Sequence, residues 1–222
     1  MVRAEKPQAI AIFGGTFDPV HCGHLAVAEA AVRRFHLRKM FFVPSSHPPH
    51  KSPRELAPFG HRYAMVALAC ASNRRFIPSL SEAPLDSANS RIFYSVDTVA
   101  GFRRQYPRDK LYFILGADSF LEIASWKSSA TLLDSCDFIV ANRPGVRIEA
   151  LRNALPQEML KKRPRRSANS IALRGSTMHL LTTVASGVSS TDIRRRRRRG
   201  ASIHGLVPAT VEDYIRKQAL YL

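Results

Sequence analysis

Ala9–Phe13 is a short apolar run that ends on Gly14 and Gly15, and the segments after it leave few folds open. From Gly23 to Phe35, apolar side chains recur at helical spacing, at Leu25, Val27, Ala28, Ala31, Val32 and Phe35. Lys39–Val43 is a second apolar run, closed by Pro44. Strand, glycine turn, helix and strand in this order predict a βαβ unit, and its two strands must run parallel.

The rest of the chain continues the alternation. His61–Ala71 reads as a helix and Phe76–Leu80 as a strand, while Ser45–Pro58 between β-like and helical segments is a Pro-, Ser- and His-rich loop. Ser95–Tyr106 reads as a helix with a serine cap. Leu111–Leu115 is a strand that runs into Gly116-Ala117-Asp118, and Phe138–Ala141 is a strand stopped by Asn142-Arg143-Pro144-Gly145. Ile148–Leu160 is expected to be helical. Pro164–Ser176 is polar and basic and reads as an insertion without assigned structure. Met178–Leu181 is expected as the last strand, before helices over Thr191–Arg199 and Ala209–Leu220, the latter started by Pro208. The expected fold is therefore α/β: a doubly wound parallel sheet with a small C-terminal helical part. At 222 residues the chain is expected to be one domain, 1–222, with 184–222 as a helical subdomain.

Chemistry concentrates in two places. In Gly14–His24 a strand gives way to a helix through glycines, so backbone N–H groups and the positive end of the helix dipole face outward as an anion site. His21 and His24 are three apart, which puts them on one side of a first helical turn, where each imidazole can donate to a phosphate oxygen. Asp18 can hold the loop or accept from a ligand or a histidine. Either histidine alone reads as packing or capping; the pair, in a Gly-Gly loop after a strand, reads as a phosphate site. The second place is Ser189-Ser190-Thr191-Asp192, a helix start with capping-box spacing. Its hydroxyls, its free N–H groups and Arg194 suit a polyphosphate, because a guanidinium can grip phosphate with two parallel hydrogen bonds.

The formal net charge of +17 favours anionic partners: phosphate substrates, nucleic acid or acidic surfaces. Much of it is local, in Arg194–Arg199 and in Lys161–Arg166. Arginines in an unbroken helical run point in all directions, so Arg195–Arg199 read mostly as a solvated face. The three cysteines, Cys22, Cys70 and Cys136, form no C-x-x-C pair. No disulfide framework is expected, and a reducing, cytoplasmic compartment fits. No apolar run reaches membrane-span length and no signal peptide is visible, so no membrane is expected.

Gly15-Thr16-Phe17-Asp18-Pro19-Val20-His21-Cys22-Gly23-His24 and Ser189-Ser190-Thr191-Asp192-Ile193-Arg194 resemble the paired signatures of the nucleotidyltransferase superfamily with the HxGH motif. Phosphopantetheine adenylyltransferases and cytidylyltransferases share the looser pattern. Pro48-Pro49-His50-Lys51, Tyr94-Ser95-Val96-Asp97-Thr98, Gly116-Ala117-Asp118-Ser119, Trp126 and Arg143-Pro144-Gly145 come in the order of the bacterial nicotinate-nucleotide adenylyltransferases. The likeness runs from the first strand to the last helix and is weakest over Ile148–Thr183. It implies a Rossmann-like fold in which Gly14, Gly15, Thr16, Phe17 and Asp18 form the nucleotide phosphate loop. His21 and His24 would contact ATP phosphates, Gly116 and Asp118 would hold ribose, and Ser189, Ser190, Thr191 and Arg194 would bind the triphosphate. Trp126 would stack on a pyridine ring, backbone near Thr98 would meet its carboxylate, and His50, Lys51 and Arg143 would surround the mononucleotide. Cys22 and the arginine run after Arg194 depart from the usual pattern.

The implied reaction is attack of the 5′-phosphate of nicotinate mononucleotide on the α-phosphorus of ATP, giving deamido-NAD and pyrophosphate. The nucleophile is already an anion, so neither a general base nor a covalent intermediate is required. His21, His24 and Arg194 would offset the growing charge. Mg²⁺ would arrive with ATP, held by phosphates and water, with no metal site in the protein. ATP and nicotinate mononucleotide are thus the expected partners; the oligomeric state stays open. A sister enzyme using nicotinamide mononucleotide or phosphopantetheine is the nearer alternative, and Trp126 with Ser95–Thr98 speaks against it. A non-catalytic, basic nucleic-acid-binding protein is the other, supported by the net charge. The absence of a stacking motif or recognition helix, and the intact histidine pair, argue against nucleic acid.

Overall fold

Alternating apolar residues in the strands, and apolar stripes in the helices between them, sort into two faces of one sheet. The structure, a computed structural model, describes residues 7–46, 56–84, 92–142, 146–162, 167–182 and 187–222. The strands are β1 (Ala9–Gly15), β2 (Lys39–Pro44), β3 (Phe76–Pro78), β4 (Lys110–Gly116), β5 (Asp137–Ala141), β6 (Ser170–Ala172) and β7 (Thr177–Leu181). They lie in the order β3-β2-β1-β4-β5-β7-β6. Every neighbouring pair is parallel except β6 with β7. The expected doubly wound parallel sheet is therefore present. Strand order reverses between β1 and β4, which opens a crevice at their C-terminal ends, where ligands bind in open α/β sheets.

The helices are α1 (Cys22–Phe35), α2 (Phe59–Cys70), α3 (Ser95–Gln105), α4 (Ala117–Leu121), α5 (Ser129–Ser135), α6 (Ile148–Asn153), α7 (Ser190–Arg198) and α8 (Ala209–Lys217). In β1, Ala11 and Phe13 join one core with α1, α2, Ile193 of α7, and Val211 and Ile215 of α8. Ile10 and Ile12, turned the other way by the strand's period of two, join Val99 and Phe102 of α3, Phe120 of α4, Leu132 and Leu133 of α5, and Leu151 of α6.

Several sequence expectations change. Tyr94, not a serine, is the N-cap of α3, and Ser95 is its first residue. The helix expected over Ile148–Leu160 ends at Asn153, and a single 3₁₀ turn, Gln157–Met159, comes after Pro156. Helix α5 is too short for its period to show: Leu132 and Leu133 are its only buried residues. Part of Pro164–Ser176 is ordered as β6, an antiparallel edge strand. Helix α8 stops at Lys217, three residues early, and Ala219 and Tyr221 beyond it take left-handed backbone angles (φ 49° and 64°).

Candidate active site

The Gly14–Asp18 loop begins where β1 ends. Gly14 and Gly15 still belong to the strand, and neither has a positive φ. Their smallness is used for close approach: a Cβ on Gly14 would come 3.2 Å from the Phe113 ring, and one on Gly15 would come 3.1 Å from the Phe17 ring. The left-handed step of the turn falls on Phe17 (φ 49°), whose buried ring packs edge-on against Phe13 and His24 at 5.5 and 5.0 Å. The expected glycine turn is thus a glycine clearance beside a phenylalanine turn.

His21 is the N-cap of α1 and His24 lies in its first turn, so the helix start sets both. Their rings stack with centroids 3.7 Å apart. The His21 backbone N–H donates to His24 Nδ1 at 3.2 Å. In a neutral ring that leaves Nε2 carrying the hydrogen, a donor of the kind a phosphate oxygen accepts. Cys22 is half-buried, burial pushes its thiol up, and its backbone N–H is tied to Leu206 O at 2.9 Å.

Tertiary structure brings the second motif to this loop. Ser189 caps α7, its Oγ accepting from Asp192 N–H at 3.1 Å. Ser190 Oγ donates to Pro19 O at 2.9 Å, and Arg194 NH1 donates to Asp18 O at 2.7 Å. Residues about 170 positions apart thereby form one cluster of donors. Thr191 is exposed, with Oγ1 3.5 Å from Arg194 NH2. Asp18 turns its carboxylate into the protein, where Oδ1 accepts from Ala57 N–H at 3.2 Å and Tyr221 O–H at 2.7 Å.

Beside this cluster lies a cleft of about 340 Å³ at the strand-order reversal. Gly14 and Gly15 of β1 with Thr16 after it, Val43 of β2 with Ser45 after it, and Leu115 and Gly116 of β4 form its floor. Tyr94 and Ser95 at the start of α3 and Ser125, Trp126 and Lys127 after α4 form its walls. A Cβ on Gly116 would meet nothing within 4 Å, so glycine there keeps space open. The Lys127 ammonium sits 4.0 Å from the centre of the Tyr94 ring.

Thr98 and Asp118 do not line this cleft. Thr98 is buried, and its hydroxyl donates to Glu82 Oε1 at 2.7 Å; Ser95, one turn earlier, is the wall residue. Asp118 is exposed in the first turn of α4. His50, Lys51 and Arg143 lie outside the described residues.

Two buried groups stand outside the motifs that mark the site in the sequence. Arg62 is 2% exposed, and its guanidinium donates to four backbone carbonyls: Ala57 at 3.0 Å, Thr16 at 2.9 Å, Ser45 at 2.6 Å and Ser46 at 3.2 Å. One side chain thus ties the Gly14–Asp18 loop to the chain after β2 and to the entry of α2. Burial lowers its pKa, and the Asp18 charge works against that. A signal existed: Arg62 heads the buried stripe Met65, Val66 and Ala69 of α2, at i, i+3, i+4 and i+7. Glu82, 8% exposed, lines the cleft. Burial pushes its carboxyl up to about 7, although hydrogen bonds from Thr98 and the Ser46 backbone pull it down. No periodic pattern announces an acid in a loop.

A model of the cytidylyltransferase-like family matches residues 12–196. A probable nicotinate-nucleotide adenylyltransferase of Moorella thermoacetica is 45% identical over 217 residues, covering 97% of this chain and 93% of that protein. One from a Thermoanaerobacter species is 40% identical, over 98% and 96% of the two chains. The chain belongs to the nicotinate-nucleotide adenylyltransferases of the cytidylyltransferase-like family. A Plasmodium falciparum nicotinic acid mononucleotide adenylyltransferase, solved in complexes with APC and with NaAD, shares the fold at a TM-score of 0.71 and 20% identity. That match covers 96% of this chain and 97% of the other. Among the described residues, no helix is long and apolar enough to cross a membrane.

Proposed function

We propose that this chain moves AMP from ATP to nicotinate mononucleotide, releasing pyrophosphate and forming deamido-NAD, and that the donor cluster and the adjoining cleft divide the work. The observation that carries the reading is the pair of hydrogen bonds from Ser190 to Pro19 and from Arg194 to Asp18, which brings two distant motifs together. In this reading the ATP phosphates lie across the Gly14–Asp18 loop, with His21, His24, Ser189, Ser190, Thr191 and Arg194 as donors. The acceptor lies in the cleft, its ring against Trp126, with the α3 start near its carboxylate. Gly116 and Asp118 at the end of β4 would serve ribose. The acceptor phosphate is an anion, so the protein's tasks are alignment and charge stabilisation.

Mg²⁺ enters this scheme on the phosphates of ATP. The groups that face the loop are N–H donors and imidazoles, suited to phosphate, whereas a hard cation prefers oxygen ligands. The Asp18 carboxylate is engaged inside the protein. One folding unit with its last helices serving the donor site fits Ile193, Val211 and Ile215, which share the core of β1 and α1. A cytoplasmic location fits three free thiols.

The test is pyrophosphate release from ATP and Mg²⁺ with three acceptors in parallel. Release with nicotinate mononucleotide far above that with nicotinamide mononucleotide or phosphopantetheine is expected. Release with either of the others in preference would overturn the acceptor assignment while leaving the transfer chemistry intact.

A further inference from the structure

The Asp18 side chain is wholly buried, with 0% exposed, yet only one of its oxygens is hydrogen-bonded. Oδ1 takes the Tyr221 hydroxyl and the Ala57 amide. Oδ2 has no hydrogen-bond partner among the described residues and stands 3.7 Å from Arg194 NH1. Arg194 donates instead to the backbone carbonyl of the same aspartate, at 2.7 Å. A buried carboxylate beside a guanidinium gains most from a close, two-pronged pair. A rotation that brought Oδ2 nearer to Arg194 Nη1, 3.7 Å away, would tighten that pair. The bonds to Oδ1 oppose that rotation, and the Tyr221 bond is the shorter of the two.

Tyr221 comes from the far end of the sequence, 203 residues from Asp18. Its backbone takes a left-handed angle, φ 64°, which side chains other than glycine rarely adopt, so the segment is bent to deliver the ring. Burial and then the Asp18 charge raise the phenol's pKa, so Tyr221 stays a neutral donor.

We propose that Tyr221 is a positioning residue of the donor-nucleotide site: it restrains the Asp18 carboxylate, so that Arg194 is paired with it only at 3.7 Å, beyond hydrogen-bond distance, and keeps N–H groups for the triphosphate. This rests on the reading of Arg194 as a triphosphate ligand. Removing the hydroxyl would free Oδ1, let the carboxylate close on Arg194, and pit Asp18 against ATP for the same guanidinium.

The experiment is steady-state pyrophosphate release with Tyr221→Phe, Arg194→Ala, and Tyr221→Phe combined with Asp18→Asn, varying each substrate in turn and recording melting curves. Tyr221→Phe is expected to raise KM for ATP about tenfold while KM for nicotinate mononucleotide stays within about twofold. The added Asp18→Asn is expected to restore much of the ATP affinity, because an uncharged amide competes far less with phosphate for Arg194. Should Arg194→Ala raise KM for ATP and Tyr221→Phe leave it unchanged, the Tyr221 proposal falls and the Arg194 reading stands. Unchanged KM for ATP in Arg194→Ala would remove both. Unfolding of Tyr221→Phe, or parallel losses in both KM values that Asp18→Asn does not relieve, would reduce Tyr221 to a structural contact and overturn the proposal.

Discussion

The two sides of the site are built differently. The proposed donor side is cross-linked by polar groups: buried Arg62 holds four carbonyls, buried Asp18 holds Tyr221 and Ala57, and the half-buried Arg194 and Ser190 hold the loop from α7. The proposed acceptor side is a cleft between helix starts, bordered by the half-buried Trp126 and the exposed Lys127. The physical demands differ in the same way. Charge stabilisation in a transition state needs donors that do not reorganise, so a stiff loop is useful there. A ring that must enter and leave needs a surface to lie on. Substitutions on the donor side should therefore disturb folding, turnover or ATP affinity, and those on the acceptor side should disturb acceptor affinity alone.

Arg62→Met is the most severe way to test the contrast. It strands four carbonyls and should cost about 3–5 kcal/mol in urea unfolding; a cost below about 1 kcal/mol would mean the loop is not held this way. His24→Ala should lower kcat by about 10²–10³ and change unfolding free energy by less than about 1 kcal/mol. Full turnover from that folded variant would remove the histidine from the chemistry. Glu82 is the exception on the acceptor side, a buried acid whose carboxyl is raised from 4.5 to about 7. The folded state then holds a proton that the unfolded chain has lost, so stability is greatest below the lower value and declines as pH rises through the higher. Relative to Glu82→Gln, the parent protein should lose up to about 3 kcal/mol across that interval. Equal pH dependence of the two melting curves would show that Glu82 is not protonated in the fold. Trp126→Ala should raise KM for nicotinate mononucleotide about tenfold with KM for ATP unmoved, and equal effects on both would break the division of labour. The smallest change is expected from Arg198→Ala with Arg199→Ala, within about 0.5 kcal/mol and with normal KM for ATP. A large rise there would draw the exposed arginines into the donor side.

Arg194 and its neighbours show what residue type alone leaves open. Arg195 and Arg196 pair with Asp192 on the outside of α7, while Arg194, 15% exposed, reaches Asp18. Six consecutive arginines are equivalent in composition, and helix phase against the loop separates them. Thr98 teaches the same point from the other side. The Tyr94–Thr98 segment does border the cleft, but through Tyr94 and Ser95, since helical phase turns Thr98 inward to Glu82.

The amino-acid sequence by itself determined the βαβ start, the parallel sheet, the family and the glycine-bearing Gly14–His24 segment at the first strand's end. Those arise from local periodicity and from contiguous motifs, in which neighbouring residues carry both the signal and the chemistry. Only the tertiary structure decided that Ser190 and Arg194 meet Pro19 and Asp18, that Arg62 binds three separate segments, and that Tyr221 anchors the loop. Those contacts are made largely to backbone carbonyls and to a buried carboxylate across as many as 203 positions. A carbonyl has the same chemistry at every residue, so nothing in the partner's identity marks the contact before the chain has folded.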